Sequence, residues 1–220
     1  MINGINNYNS NLAFGAGFRQ NSFILKDIGN GLRDMQKVKI VEFNPRKYTD
    51  ILALQKISRI WGEYFNPAIP DFSHQIAEDA RLIYNGKDIG EGTCRILGLT
   101  TQKTSISKVY PDKMLGLAEL KTFDGVDNKP DCLVWLQTKP ANVNMADGQG
   151  KYIHIGKALL KFIREFSGKD IESAVTKSSI PFYKKQVGIV HLNERAVLLK
   201  NINNYKKPKS VNIKLTEKPL

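Results

Sequence analysis

Residues 151–163 read KYIHIGKALLKFI. From Ile155 onward the apolar residues Ile155, Ala158, Leu159, Phe162, Ile163 and Phe166 recur at the three- and four-residue spacing of one helical stripe, and Gly168 is a natural stop. What precedes that helix decides the reading of the chain. Lys151 and the bulky tripeptide Tyr152-Ile153-His154 lead straight into Ile155 and Gly156. A helix N-terminus offers unpaired N–H groups and a partial positive charge. Such a start can simply begin a packed helix, or it can hold a phosphate. Gly156 would let a ligand approach the backbone, and Lys151 and Lys157 add positive charge. His154 carries a Cβ, so it is expected to keep an ordinary backbone conformation where glycine would be freer.

Upstream, CLVWLQTKP at 132–140 reads as a strand covered on both faces and closed by Pro140. CRILGLTT at 94–101 and KMLGLAELKTF at 113–123 read as two strands of a meander, linked through the turn signal Tyr110-Pro111-Asp112. Earlier, KVKIVEF at 37–43 alternates like a strand. A helix follows from Tyr48, with Ile51, Leu54, Ile57 and Trp61 on one side, Thr49 or Asp50 as cap and Gly62 as stop. Pro67 and Pro70 mark a turn before a second helix, SHQIAEDARLIY, with Ser73 as its cap. Downstream, ANVNMADGQG reads as loop and IESAVT at 171–176 as a strand. SSIPFYKKQV then reads as a short helix capped by Ser178, and ERAVLLK at 194–200 as a last strand. The order β, α, α, β, β, β, α, β, α, β predicts an α/β domain with a mixed sheet.

The ends carry a different composition. Residues 1–36 are rich in Asn and Gly without a sustained period, which predicts a flexible leader before a domain at 37–200. Net charge is +12, and residues 184–220 hold nine Lys/Arg against two Glu. The segment 201–220 reads as a basic tail, either solvated or attracted to an anionic partner such as nucleic acid, with YKKPK at 205–209 as contact. Cys94 and Cys132 each sit in an apolar segment, as free thiols of a reducing compartment do, and the expected location is the cytoplasm. No stretch approaches the ~20 apolar residues of a membrane span. The three histidines, His74, His154 and His191, form no triad or metal spacing, so no metal site is expected.

The order and spacing of these pieces resemble the GNAT superfamily of N-acetyltransferases over about residues 37–200. MLGLAEL at 114–120 looks like that family's third strand, and LQTKP at 136–140 like the end of its fourth. KYIHIGKALLKFI followed by SSIPFYKKQVGI looks like its acetyl-CoA loop and helix with the later tyrosine helix. The family's loop usually runs Arg/Gln-x-x-Gly-x-Gly/Ala. Here Lys151 takes the first place, His154 stands at the first glycine and Gly156 keeps the last.

The resemblance implies a mostly antiparallel central sheet flanked by helices, acetyl-CoA as co-substrate, and transfer of its acetyl group to an amine-bearing acceptor. It implies cofactor binding by Lys151, Tyr152, Ile153, His154, Ile155, Gly156, Lys157 and Ala158, and by the strand backbone at Leu136, Gln137 and Thr138. Tyr183 would protonate the leaving thiolate. Glu119 is the best carboxylate candidate for a general base, its other reading being a solvent-facing strand residue. Two rival expectations stand beside this one: a GNAT-like protein that binds an acyl-CoA or a partner but catalyses little, and a basic nucleic-acid-binding module.

Overall fold

The middle of the chain forms strands where the alternation places them. The computed structural model describes residues 17–64, 71–102, 110–126, 128–142 and 151–201. The turn at Pro67 and Pro70, nearly all of the 141–150 loop, the first sixteen residues of the leader and the tail beyond Asn201 lie outside the described residues.

The elements in chain order are β1 (Gly17–Gly29), β2 (Leu32–Phe43), α1 (Tyr48–Gly62), α2 (Phe72–Tyr84), β3 (Thr93–Thr100), β4 (Met114–Thr122), β5 (Asp131–Thr138), β6 (Tyr152–Ile153), α3 (Ile155–Ser167), β7 (Ile171–Ala174), α4 (Ile180–Tyr183), β8 (Ile189–Leu192) and β9 (Ala196–Leu199). They form a mixed sheet ordered β6-β1-β2-β3-β4-β5-β7-β9-β8. Every neighbouring pair is antiparallel except β5 with β7.

Successive strand residues point to opposite faces, and each face has its own core. On one face Val41, Phe43, Ile96 and Leu117 meet Ile51, Leu54, Ile57 and Trp61 of α1 and Ile76 of α2. On the other, Ile40, Leu97, Ala118 and Leu133 meet Leu159 and Ile163 of α3, together with Tyr183. Leu97 and Ala118 thus face α3 while their neighbours Ile96 and Leu117 face α1 and α2. Gly116 lets α3 settle this closely: a Cβ there would lie 2.6 Å from Leu159 Cδ1 and 2.9 Å from Ile155 Cγ2. The helix ends as expected, at Gly168 with φ of 65°.

Several expectations are corrected. Residues 17–36 are not leader but a long hairpin, turned by Gly29, Asn30 and Gly31, all at positive φ. Polar residues interrupt its apolar pattern, which hid the strands, although Asn30-Gly31 is a hairpin signal. The 189–192 strand and the two-residue β6 also escaped the pattern. The cap of α1 is Lys47 without a side-chain bond, while Asp50 instead accepts the Asn44 N–H at 2.7 Å. Asp71, not Ser73, caps α2. Thr176, not Ser178, caps the turn before α4, in a capping box with Ser179. Strand β5 is not covered on both faces throughout: Cys132, Val134, Trp135 and Leu136 keep partial exposure.

Candidate active site

Strands β5 and β7 pair in parallel at Asp131–Ile171 and Cys132–Glu172, and then part. Directly beyond, β5 carries an extra residue: Trp135 faces Glu119 and Leu133 faces Leu120, so Val134 is a bulge. A bulge bends its strand and ends local pairing. The Ser173 hydroxyl makes a last tie across the gap, donating to the Leu133 carbonyl at 2.7 Å. Past that point β5 has β4 on one side and an opening on the other. The Lys139 N–H donates to Leu115 O at 2.7 Å, toward β4. Alternation along the strand therefore turns the N–H groups of Thr138 and Leu136 toward the opening.

The start of α3 faces the same opening. A Cβ on Gly156 would lie 3.5 Å from the Phe182 ring and 3.7 Å from Thr138 Cγ2, so α3, β5 and α4 converge on this glycine. The first helical bond of α3 is Ala158 N–H to His154 O, at 2.9 Å. No side chain caps the N–H groups before it. His154 corrects the expectation of ordinary backbone: it sits in the left-handed region at φ 69°, ψ 18°. That is the conformation glycine adopts freely and a side chain resists. The approach to the helix is fixed by β6, whose Tyr152 and Ile153 pair with Lys26 and Leu25 of β1. The Asp27 N–H also donates to Lys151 O at 2.9 Å.

The predicted cofactor residues divide by burial. Lys151, His154 and Lys157 are exposed, and Tyr152, Ile153, Gly156, Leu136 and Thr138 are half-buried around the opening. Ile155 and Ala158 are buried beneath the helix and present no side chain to a ligand. The Gln137 side chain points to the opposite face, where its Oε1 accepts the Ser73 N–H at 2.6 Å and helps hold the start of α2.

Tyr183 is buried in the α3-side core. Burial pushes its phenol up from the ordinary range, and a hydrogen bond with Ser173 works the other way. The hydroxyl therefore keeps its proton beside the point where β5 and β7 part.

Glu119 is fully buried, which corrects the solvent-facing reading. It lies on the α1/α2 face, so the sheet separates it from Tyr183. Its polar neighbours on that face are Asp79 of α2, with which it shares a proton, and the Cys94 thiol. Burial pushes this carboxyl up to about 8, Asp79 of α2 adds to the rise, and Lys121 opposes it. Glu119 is thus largely protonated near neutral pH. Burial likewise pushes the neighbouring Cys94 thiol up. Sequence reasoning missed Phe182, Ser173 and Gly116. Phe182 is legible only beside Tyr183, while Gly116 sits mid-strand, where glycine signals close approach.

No family model matches the chain, and no curated protein matches it. Among solved structures, an aminoglycoside acetyltransferase from an uncultured soil metagenomic sample, in complex with sisomicin, aligns with 71% of this chain and 94% of its own at 13% identity. Its TM-score of 0.35 is too low to bear on fold or activity. No helix among the described residues is long and apolar enough to cross a membrane.

Proposed function

We propose that the chain is an N-acetyltransferase that takes acetyl-CoA as co-substrate and acetylates a primary amine. The observation that carries this reading is the parting of β5 from β7 at Cys132, with the uncapped start of α3 facing the opening. The N–H groups at that helix start suit a pyrophosphate, and Gly156 brings them in close beside Phe182 and Thr138. The exposed Lys151 and Lys157 add positive charge.

When bound, acetyl-CoA supplies an activated thioester. The chain's own groups do the rest. The open-side N–H groups of Leu136 and Thr138 stabilise charge developing on the acyl oxygen, as donors fixed in advance. Tyr183 holds a proton close to the gap and gives it to the departing thiolate. We assign removal of the amine proton to water rather than to Glu119, because Glu119 is enclosed on the other face. His154 positions the helix start and takes no part in proton transfer.

Calorimetric titration with CoA and acetyl-CoA tests the binding half. Gly156→Val should abolish binding while leaving the protein folded, because a Cβ there already touches Phe182 and Thr138 and the branched γ-carbons would push these half-buried side chains and the helix start apart. Thiol release from acetyl-CoA with a panel of polyamines, amino acids, aminoacyl esters and peptides tests the chemistry. Absence of heat with acetyl-CoA at millimolar concentration would end this reading.

A further inference from the structure

At the other end of the sheet lies a second cavity, of about 760 Å³, between the β2–α1 connection and the α2–β3 connection. It is far from the opening described above. Thr93 and Arg95 at the start of β3 line it, whereas Gly116 near the start of the antiparallel β4 meets the beginning of α3. Helix α3 runs between the two regions: Ile155 begins it, and Phe166 in its last turn lies under Arg95, 5.4 Å from guanidinium to ring centre. Thirteen residues of helix span roughly 20 Å.

The lining is strongly basic. Arg19, Arg46, Lys47, Lys87 and Arg95 face Glu42 and Asp88. Glu42 is already held by Arg19 and by Arg95, the latter at 3.2 Å. Asp88 accepts the Gly90 N–H at 2.8 Å. Among the described residues Arg46, Lys47 and Lys87 enter no ion pair. The Nε of Arg95 is buried without an acceptor. A buried donor left unpaired is unfavourable and calls for an acceptor.

We propose that this cavity binds a phosphorylated small molecule with two or more negative charges. A monocarboxylate would leave most of the positive surplus unmatched. Phosphate matches both the guanidinium fork and the ammonium point charge. The volume falls within the 300–1,000 Å³ usual for sites that enclose small ligands, which is nucleotide or sugar-phosphate size.

Inorganic pyrophosphate, titrated calorimetrically into the whole protein at low salt, tests this. Arg46 and Lys87 are exposed, so Arg46→Ala/Lys87→Ala should fold normally. That variant is expected to bind pyrophosphate at least ~10-fold more weakly, since one lost charge-assisted hydrogen bond already accounts for that much. Its acetyl-CoA affinity should not change, and Lys151→Ala should keep this pyrophosphate site, so the outcome is independent of the acetyltransferase reading. Unchanged pyrophosphate affinity in the double variant would overturn the proposal. So would equal competition by sulfate, which would mean an adventitious ion only. Tighter and steeply salt-dependent binding of single-stranded DNA or RNA at the same residues would overturn it in favour of a nucleic-acid surface.

Discussion

Replacing Glu119 by Gln should make the protein more stable, and increasingly so as pH rises. Glu119 is buried, has no ion-pair partner, and has the carboxyl of Asp79 and the thiol of Cys94 as neighbours. Its carboxyl is pushed from an ordinary 4.5 to about 8, chiefly by burial. The folded chain therefore holds a proton that the unfolded chain releases above 4.5. The sign follows from linkage: the contribution is fully present below the unfolded value and is lost as pH rises through about 8. Each pH unit in that window is worth about 1.4 kcal/mol, so the full loss is bounded at about 5 kcal/mol. Gln keeps the size and removes the ionisation, and its amide can donate to Asp79. Urea unfolding of both proteins at about pH 5, 7 and 9 isolates this group, because the other titrating groups cancel in the difference. The variant should gain little at the lowest pH and on the order of 2–5 kcal/mol at the highest. A stability difference independent of pH would refute the reasoning and mean that Glu119 is ionised in the folded protein.

Three further outcomes follow from backbone and packing. His154→Gly should raise stability by about 0.5–1 kcal/mol, because glycine relieves the left-handed conformation and loses part of that gain to its larger unfolded-state entropy; the denaturant midpoint reports it. Gly116→Ala should cost about 1–3 kcal/mol, since the added Cβ overlaps Leu159 and Ile155, and an unchanged melting temperature would mean that α3 shifts freely. Tyr183→Phe keeps the ring in its packing and removes the proton donor. With a working acceptor, kcat should fall by about 10²–10⁴ while acetyl-CoA affinity holds, and an unchanged kcat where chemistry limits turnover would remove Tyr183 from the mechanism.

The two central helices and the β3–β4–β5 meander were readable because burial imposes a period. The stripe from Ile155 to Ile163 and the pairs Ile96/Leu97 and Leu117/Ala118 answer to a helix surface and a two-faced sheet. Residues 37–43 of β2 were readable, but β1 and the first residues of β2 were not, because the far half of that hairpin covers no core. Phe23, Met35 and Leu32 remain exposed, and their polar neighbours obscure the alternation. Gly156 and Tyr183 were legible by resemblance. Their meeting with Phe182, Thr138 and Ser173 was not, since it depends on where β5 bulges, and nothing in CLVWLQ marks Val134 as the extra residue. The left-handed His154 ran against local preference. That conformation lies between the clamp from β1 and the packing of α3 on Gly116.

That clamp couples distant parts of the chain in time as well as in space. Leu25 and Ile153 are neighbours across one ladder, yet well over a hundred residues separate them. Closing so long a loop has an entropic cost that grows with the logarithm of its length, and contacts of this range form late. During synthesis the hairpin waits, its β1 edge unpaired, until residues 152–153 have emerged. Only then do Tyr152 and Ile153 dock on it and set the entry angle of α3. A chain shortened to begin at residue 37 would keep most of both cores and still lack the surface on which the first turn of that helix is assembled.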